Sequence, residues 1–275
     1  MTLPTRPPSP AAAEPFDRLL RRRRHAGALE SFADADFLHQ AMADETRTRV
    51  TALGRTYDRV LDLGGPVAVW PGAVRAALSV GAGVDVVADE DRLPFADATF
   101  DLVVSVGGLA NLSDLPGALV QIRRVLRPDG LFAACMAGGL TLGELREDLI
   151  LAEAALSGGA APRVAPMVDA QSAAALLQRT GFAMPVTDTE RLKVRYSDLS
   201  GLLDDLTAMG ARSPLRSRSV LRRDVLNETK AKFAARAGPD GKTDVTVDLL
   251  HIAGWAPGSP PGLESPLARA IGKAI

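Results

Sequence analysis

The chain has 275 residues, with 32 basic and 33 acidic side chains and a formal net charge of −1, so no global field recruits nucleic acid or an anionic membrane. Apolar residues make up 47% of it, enough to fill the core of one large α/β domain or two small ones. The single cysteine, Cys135, excludes an internal disulfide, and His25, His39 and His251 are too dispersed for zinc-ligand spacing, so a reducing, cytoplasmic compartment fits best. No apolar run approaches the roughly 18 residues of a membrane span, and the start lacks the order of a secretory signal.

Residues 1–15 are rich in Pro and Ala and read as a disordered lead-in, with a transit peptide as the alternative. A helical region opens at Phe16-Asp17-Arg18, and its Arg21-Arg22-Arg23-Arg24 run reads first as a solvated helix face, with an interaction patch as the alternative. A second helix is expected over 35–53, covering the sheet's edge or a ligand mouth. Alternation then begins, with strands near 59–63, 84–88, 101–106 and 130–136 and helices near 70–80, 115–126 and 142–156. This βαβα order implies a parallel, doubly wound sheet. Arg127-Pro128-Asp129-Gly130 is a turn that ends the helix before it. Helices over 170–180, 198–209 and 219–237 follow, with strands over 186–195 and 245–255 that add an antiparallel edge. The remainder, 257–275, reads as a loosely packed tail, which leaves 16–256 as the folded domain.

The first strand carries a contradiction. Val60-Leu61-Asp62-Leu63-Gly64-Gly65 starts like a loop that brings backbone N–H groups to a nucleotide cofactor at the carboxyl edge of a parallel sheet. It continues Pro66-Val67-Ala68-Val69-Trp70, and proline fixes φ and removes a donor where such a loop uses glycine. Asp62 therefore reads equally as a ligand contact and as an acceptor holding its own loop. Trp70 either stacks on an adenine or fills a gap. Cys135, inside an apolar strand, reads as a small buried hydrophobe, and His251, alternating with apolar residues, as structural. Glu144 and Arg146 open a helix beside the sheet's carboxyl edge, where they could also touch a carboxylate or peptide substrate.

Taken together, Asp62-Leu63-Gly64, Ala88-Asp89-Glu90-Asp91-Arg92-Leu93-Pro94-Phe95, Phe100-Asp101-Leu102-Val103-Val104-Ser105 and Leu126-Arg127-Pro128-Asp129-Gly130 resemble the class I S-adenosylmethionine-dependent methyltransferases. Phe16-Asp17-Arg18, the segment from Gly138 to Arg146, the segment from Leu203 to Gly210 and Ile252-Ala253-Gly254-Trp255 narrow the resemblance. They point to the branch of the complex I assembly factor of methyltransferase fold and the malonyl-carrier-protein methyltransferase of biotin synthesis. The resemblance implies a Rossmann-like fold and S-adenosylmethionine as cofactor. It implies cofactor contacts at Asp62, Gly64, Gly65, Asp89, Leu93, Phe95 and Ser105, and a protein substrate or respiratory-complex subunit as partner.

Three departures accompany the resemblance. Pro66 and Ala68 stand where the family's loop has its later glycines. Gly107-Gly108-Leu109-Ala110-Asn111 stands where many relatives carry a His-Trp pair near the substrate. The stretch between Gly64 and Asp89 is short by about one αβ unit, given that a βαβ unit takes about 30 residues. Strand 84–88 could then fall into a vacated second position and put Asp89 where the ribose-binding acid belongs; the alternative is that Asp89 only caps a turn before Leu93-Pro94-Phe95 and the pocket is vestigial. Three functions remain open at this level: methyl transfer with a remodelled pocket, arginine hydroxylation in respiratory-complex assembly, and a non-catalytic binding scaffold.

Overall fold

The structure is a computed structural model that describes residues 14–81 and 83–258. Nearly all of the proposed lead-in and tail lie outside the described residues. Helix α1 (Arg18–Ala28) and helix α2 (Phe37–Thr51) come first, joined through a short 3₁₀ turn. Seven strands follow: β1 (Val60–Leu63), β2 (Val74–Ala77), β3 (Val86–Val87), β4 (Phe100–Val106), β5 (Leu126–Gly138), β6 (Ala183–Tyr196) and β7 (Thr243–Trp255). Helix α3 (Leu115–Val125) joins β4 to β5, α4 (Gly143–Ser157) and α5 (Ala170–Arg179) precede β6, and α6 (Leu199–Ala208) and α7 (Arg223–Ala235) precede β7.

The strands form one sheet in the order β3-β2-β1-β4-β5-β7-β6. The first five run parallel, and β7 inserts antiparallel between β5 and β6. This is the Rossmann-like methyltransferase arrangement with its antiparallel pair. Strand β1 is buried along its whole length, as befits a strand covered on both faces. On one face Leu61, Leu63, Val103 and Phe132 pack with α3 and α5. On the other, Leu102, Val104, Val106 and Cys135 pack with Met42, Ala43 and Val50 of α2.

The missing length proves to be helix, not strand. No helix forms over 70–80: Gly72 adopts φ +73°, and the chain turns there to become β2, paired Leu61↔Val74 and Leu63↔Ala76 with β1. The connections 64–73 and 78–85 between parallel strands hold no helix among the described residues, and are shorter than the dozen or so residues such crossovers usually take. Strand 84–88 contributes the third strand, and Asp89 follows it, so Asp89 does not occupy the second-strand ribose position. The second strand ends in Ala77-Leu78-Ser79, with no acid. In the space a crossover helix would fill, Val67 and Val69 are buried against α2 and β4. Trp70 joins them, its ring edge-on to Tyr57 at 5.9 Å, so it fills a gap in the core.

The 127–130 turn is realised as an irregularity inside β5, where the pairing jumps from Leu126 to Leu131 and Asp129 adopts φ +62°. Asp114 caps α3 by accepting the N–H of Gly117 at 2.8 Å, and Pro116 sits in its first turn, where a missing N–H costs nothing.

Candidate functional site

At the carboxyl ends of β1, β4 and β5 a cavity of about 210 Å³ opens between the sheet, α1, α2 and α6. Its floor is backbone. A Cβ on Gly64 would lie 2.8 Å from Glu90 Oε1, and one on Gly108 would lie 2.7 Å from the Gly64 carbonyl carbon, so only glycines allow this approach. Gly107, at φ +72°, lies against His39: a Cβ there would meet the imidazole at 2.9 Å. Leu38, Met42, Leu109, Met136 and Leu206 supply an apolar wall.

Two imidazoles and one tyrosine–carboxylate pair, with Arg21, Asn111 and Arg212, give the cavity its polar chemistry. Burial lowers the pKa of His39 to about 4, with nearby His25 adding to the effect, so the ring is neutral near pH 7. Its buried Nδ1 carries no hydrogen bond. His25 is lowered by burial as well, and its Nδ1 faces Ser79 Oγ at 3.0 Å. Across the cavity the Tyr196 hydroxyl donates to Asp205 at 2.9 Å, and burial together with that carboxylate keeps the phenol protonated. Neutral imidazoles can accept a proton, and Asp205 can hold a cationic group.

A smaller recess of about 20 Å³ adjoins the cavity beside Asp89, Glu90 and Asp91, the turn after β3. Three arginines of α1 reach into this turn. Arg21 grips Glu90 with both guanidinium nitrogens, at 2.7 and 2.9 Å, and also donates to the Gly108 carbonyl. Arg18 holds both oxygens of Asp91, and Arg22 reaches Asp89 at 2.9 Å. Burial grades these pairs: the Glu90 side chain is 1% exposed and Arg21 15%, whereas Arg22 and Asp89 are 44% and 28% exposed. Within the arginine run Arg21 thus turns inward to Glu90, whereas Arg22 and Arg23 stay on the exposed face.

Of the residues singled out from the sequence, Gly64 lines the cavity and Asp89 the recess. Asp62 turns to its own loop, accepting the Val69 N–H at 2.6 Å with Arg75 at 3.7 Å; burial raises its pKa to about 6. Gly65 abuts β4, where a Cβ would meet the Val106 carbonyl oxygen at 2.5 Å. Ser105 donates to the Leu63 carbonyl at 2.8 Å and ties β4 to β1. Leu93 is buried in the core, and Phe95 stands edge-on to Phe100 at 5.1 Å.

Cys135 is buried with its thiol pushed up to about 12 by desolvation, 3.8 Å from His251 Nε2, so both belong to the packing between β5 and β7. Glu144 bonds Lys193 and Thr246, and Arg146 donates to the Ala165 carbonyl. Sequence reasoning passed over Arg21, Glu90, His39 and Asp205. The available signal was the spacing of Arg18, Arg21 and Arg22, which shares one helix face, set against three consecutive acids.

A family model described as a methyltransferase domain matches residues 66–134. The chain is 33% identical over 265 residues to the mitochondrial arginine-hydroxylase NDUFAF5 of Danio rerio, covering 88% of this chain and 83% of the relative. The Homo sapiens protein of that name matches at 33% over 270 residues, 90% and 78% of the two chains. A malonyl-[acyl-carrier protein] O-methyltransferase of Methylovorus sp. (strain MP688) is 33% identical over 174 residues, 62% of this chain and 56% of the relative. Among solved structures, the YcgJ protein from Bacillus subtilis superposes with a TM-score of 0.50 at 14% identity, covering 78% of this chain and all of that one, a likeness of fold.

Proposed function

The chain belongs to the class I S-adenosylmethionine-dependent methyltransferase superfamily, on the branch of the NDUFAF5 proteins, and from that premise we propose that its cavity transfers a methyl group from S-adenosylmethionine through a remodelled cofactor loop. The carrying observation is the glycine-floored cavity at the carboxyl ends of β1, β4 and β5, the position where open α/β sheets bind their ligands. S-adenosylmethionine is the cofactor of this superfamily, and when bound it supplies an electrophilic methyl on a sulfonium whose departure leaves a neutral thioether.

The residues fit its methionyl end. Gly64, Gly107 and Gly108 line the cavity, the space of their missing side chains being taken by Glu90, His39 and the turn after β1, and the apolar wall excludes water from the reacting atoms. His39 is neutral near pH 7 and lines the cavity with its imidazole against Gly107, an uncharged wall beside the reacting atoms. Asp205, held by Tyr196, orients a substrate group at the opposite wall. Calorimetry with S-adenosylmethionine and S-adenosylhomocysteine tests the reading: micromolar binding, about −8 kcal/mol, and a labelled methyl product are expected. No heat at millimolar ligand would instead favour a binding scaffold.

The match along nearly the whole chain to proteins named arginine-hydroxylase favours a second reading, an arginine-modifying factor in assembly of a respiratory complex. Asp205 supports it, because a carboxylate in the lining of a largely apolar cavity suits a guanidinium carried on methylenes. Deleting the gene and mapping arginine modifications on respiratory-complex subunits by mass spectrometry separates the two: loss of an added oxygen marks hydroxylation, loss of a methyl marks transfer. No described helix is long and apolar enough to cross a membrane.

A further inference from the structure

We propose that α1 is a charge-paired latch over the nucleoside end of the site, so that Arg18, Arg21 and Arg22 must leave Asp91, Glu90 and Asp89 before an adenosine-bearing ligand enters; this rests on the cofactor reading above. With α1 in place, the recess beside these acids measures about 20 Å³, room for one water and not for a purine. Arg21 lines both the recess and the main cavity, as do Phe16, Asn111 and Leu112, so the two spaces meet at a partition in which Arg21 is the one α1 side chain.

A wall and a latch differ in how they are held. Helix α1 buries only Ala28 along its length, and Leu19 is 66% exposed, so little apolar surface fixes it. Polar contacts hold it instead: the three ion pairs, Arg24 on the Arg212 and Ser213 carbonyls, and His25 against Ser79. Its first turn is tethered by the Asp17 N–H donating to the Pro214 carbonyl at 2.8 Å. Solvent reaches the two outer arms, Arg18 and Arg22, and salt weakens their pairs, whereas the buried Arg21–Glu90 pair sets the cost of opening. The pairs also keep the carboxylates satisfied until a ligand replaces the arginines, which avoids leaving Glu90 buried and unpaired.

The test uses the full chain, S-adenosylhomocysteine as probe, and the Arg18→Ala/Arg22→Ala variant, which removes the two more exposed arms and leaves Arg21 in place. Stopped-flow association and hydrogen exchange of the α1 amides are read together. The latch predicts faster α1 exchange and a roughly tenfold higher association rate, the factor expected from loosening two partly exposed pairs. The Arg18→Asp/Asp91→Arg swap should restore most of the slow association that Arg18→Asp alone abolishes. Equal association rates in wild type and variant, with α1 exchange raised, overturn the latch and leave cofactor binding standing. Absence of binding in both, with α1 released, overturns latch and cofactor reading together. Should the variant lose its cooperative melting, the wild type answers alone: association accelerates with added sodium chloride if α1 gates entry, and a flat dependence overturns it.

Discussion

The two halves of the sheet are secured by different forces. From β4 onward, strands of 7–14 residues alternate with helices that bury apolar stripes: α3 alone buries Leu115, Ala118, Leu119, Ile122 and Val125. The β1–β3 side has strands of 4, 4 and 2 residues joined by loops, and lacks crossover helices. There, the loop residues Val67 and Val69 press against α2, and α1 clasps the turn after β3 with arginines. One half is held by long apolar helix stripes, the other by a short buried strand and loop core with a few directional contacts at its rim. Directional contacts fail singly, so the sparse half should be far more sensitive to one substitution.

The largest effect belongs to Arg21→Ala, which strands Glu90 in the interior without its partner; a loss of about 3–5 kcal/mol in urea unfolding is expected. Replacing both partners by methionine should recover most of that loss, because the uncompensated charge is then gone. If Arg21→Ala cost no more than an exposed pair, the contrast between the halves would collapse. Next comes Gly65→Ala, whose methyl would intrude on the Val106 carbonyl at the β1–β4 seam, where backbone cannot yield cheaply; about 3–4 kcal/mol is expected in the same assay.

Asp62 gives the sparse half its own pH dependence. Its folded pKa, raised by burial to about 6 from an ordinary 3.8, favours the neutral acid in the fold. The associated stability is complete below about pH 4 and is lost as pH rises through 6, a change of about 3 kcal/mol. Asp62→Asn should flatten that difference while keeping an acceptor for the Val69 N–H, as read from urea midpoints at pH 4 and pH 7.5. An unchanged pH profile in the variant would assign the effect elsewhere. The smallest effect is expected from Arg22→Ala, under about 1 kcal/mol, because both members of that pair reach solvent.

Most of the dense half was legible in the sequence. The periodicities that predicted helices over 115–126, 170–180 and 198–209 reflect burial on one face, and the structure places helices at Leu115–Val125, Ala170–Arg179 and Leu199–Ala208. The stretch 70–80 misled for the opposite reason. Its identity as β2 comes from pairing with β1 across the Pro71-Gly72 turn, and a four-residue strand has too few positions to show a period. The candidate site divides in the same way. Gly64 and Asp89 were visible through motif and resemblance, whereas Arg21, His39 and Asp205 come from separate elements that meet only in the folded chain.

By itself the sequence determined the Rossmann-like class, the antiparallel C-terminal pair, the family and the unusual cofactor loop, because each is written in local pattern, spacing or a contiguous motif. The tertiary structure alone decided that helices and not a strand were lost, that Asp62 serves its own loop, and that the arginines of α1 are paired with the acids after β3. Those outcomes depend on pairings that no local pattern shows, from the 7 positions between Asp62 and Val69 to the 67–73 between the arginines and their acids, where the gain from pairing a charge or closing a sheet edge is set by what the rest of the chain brings into reach.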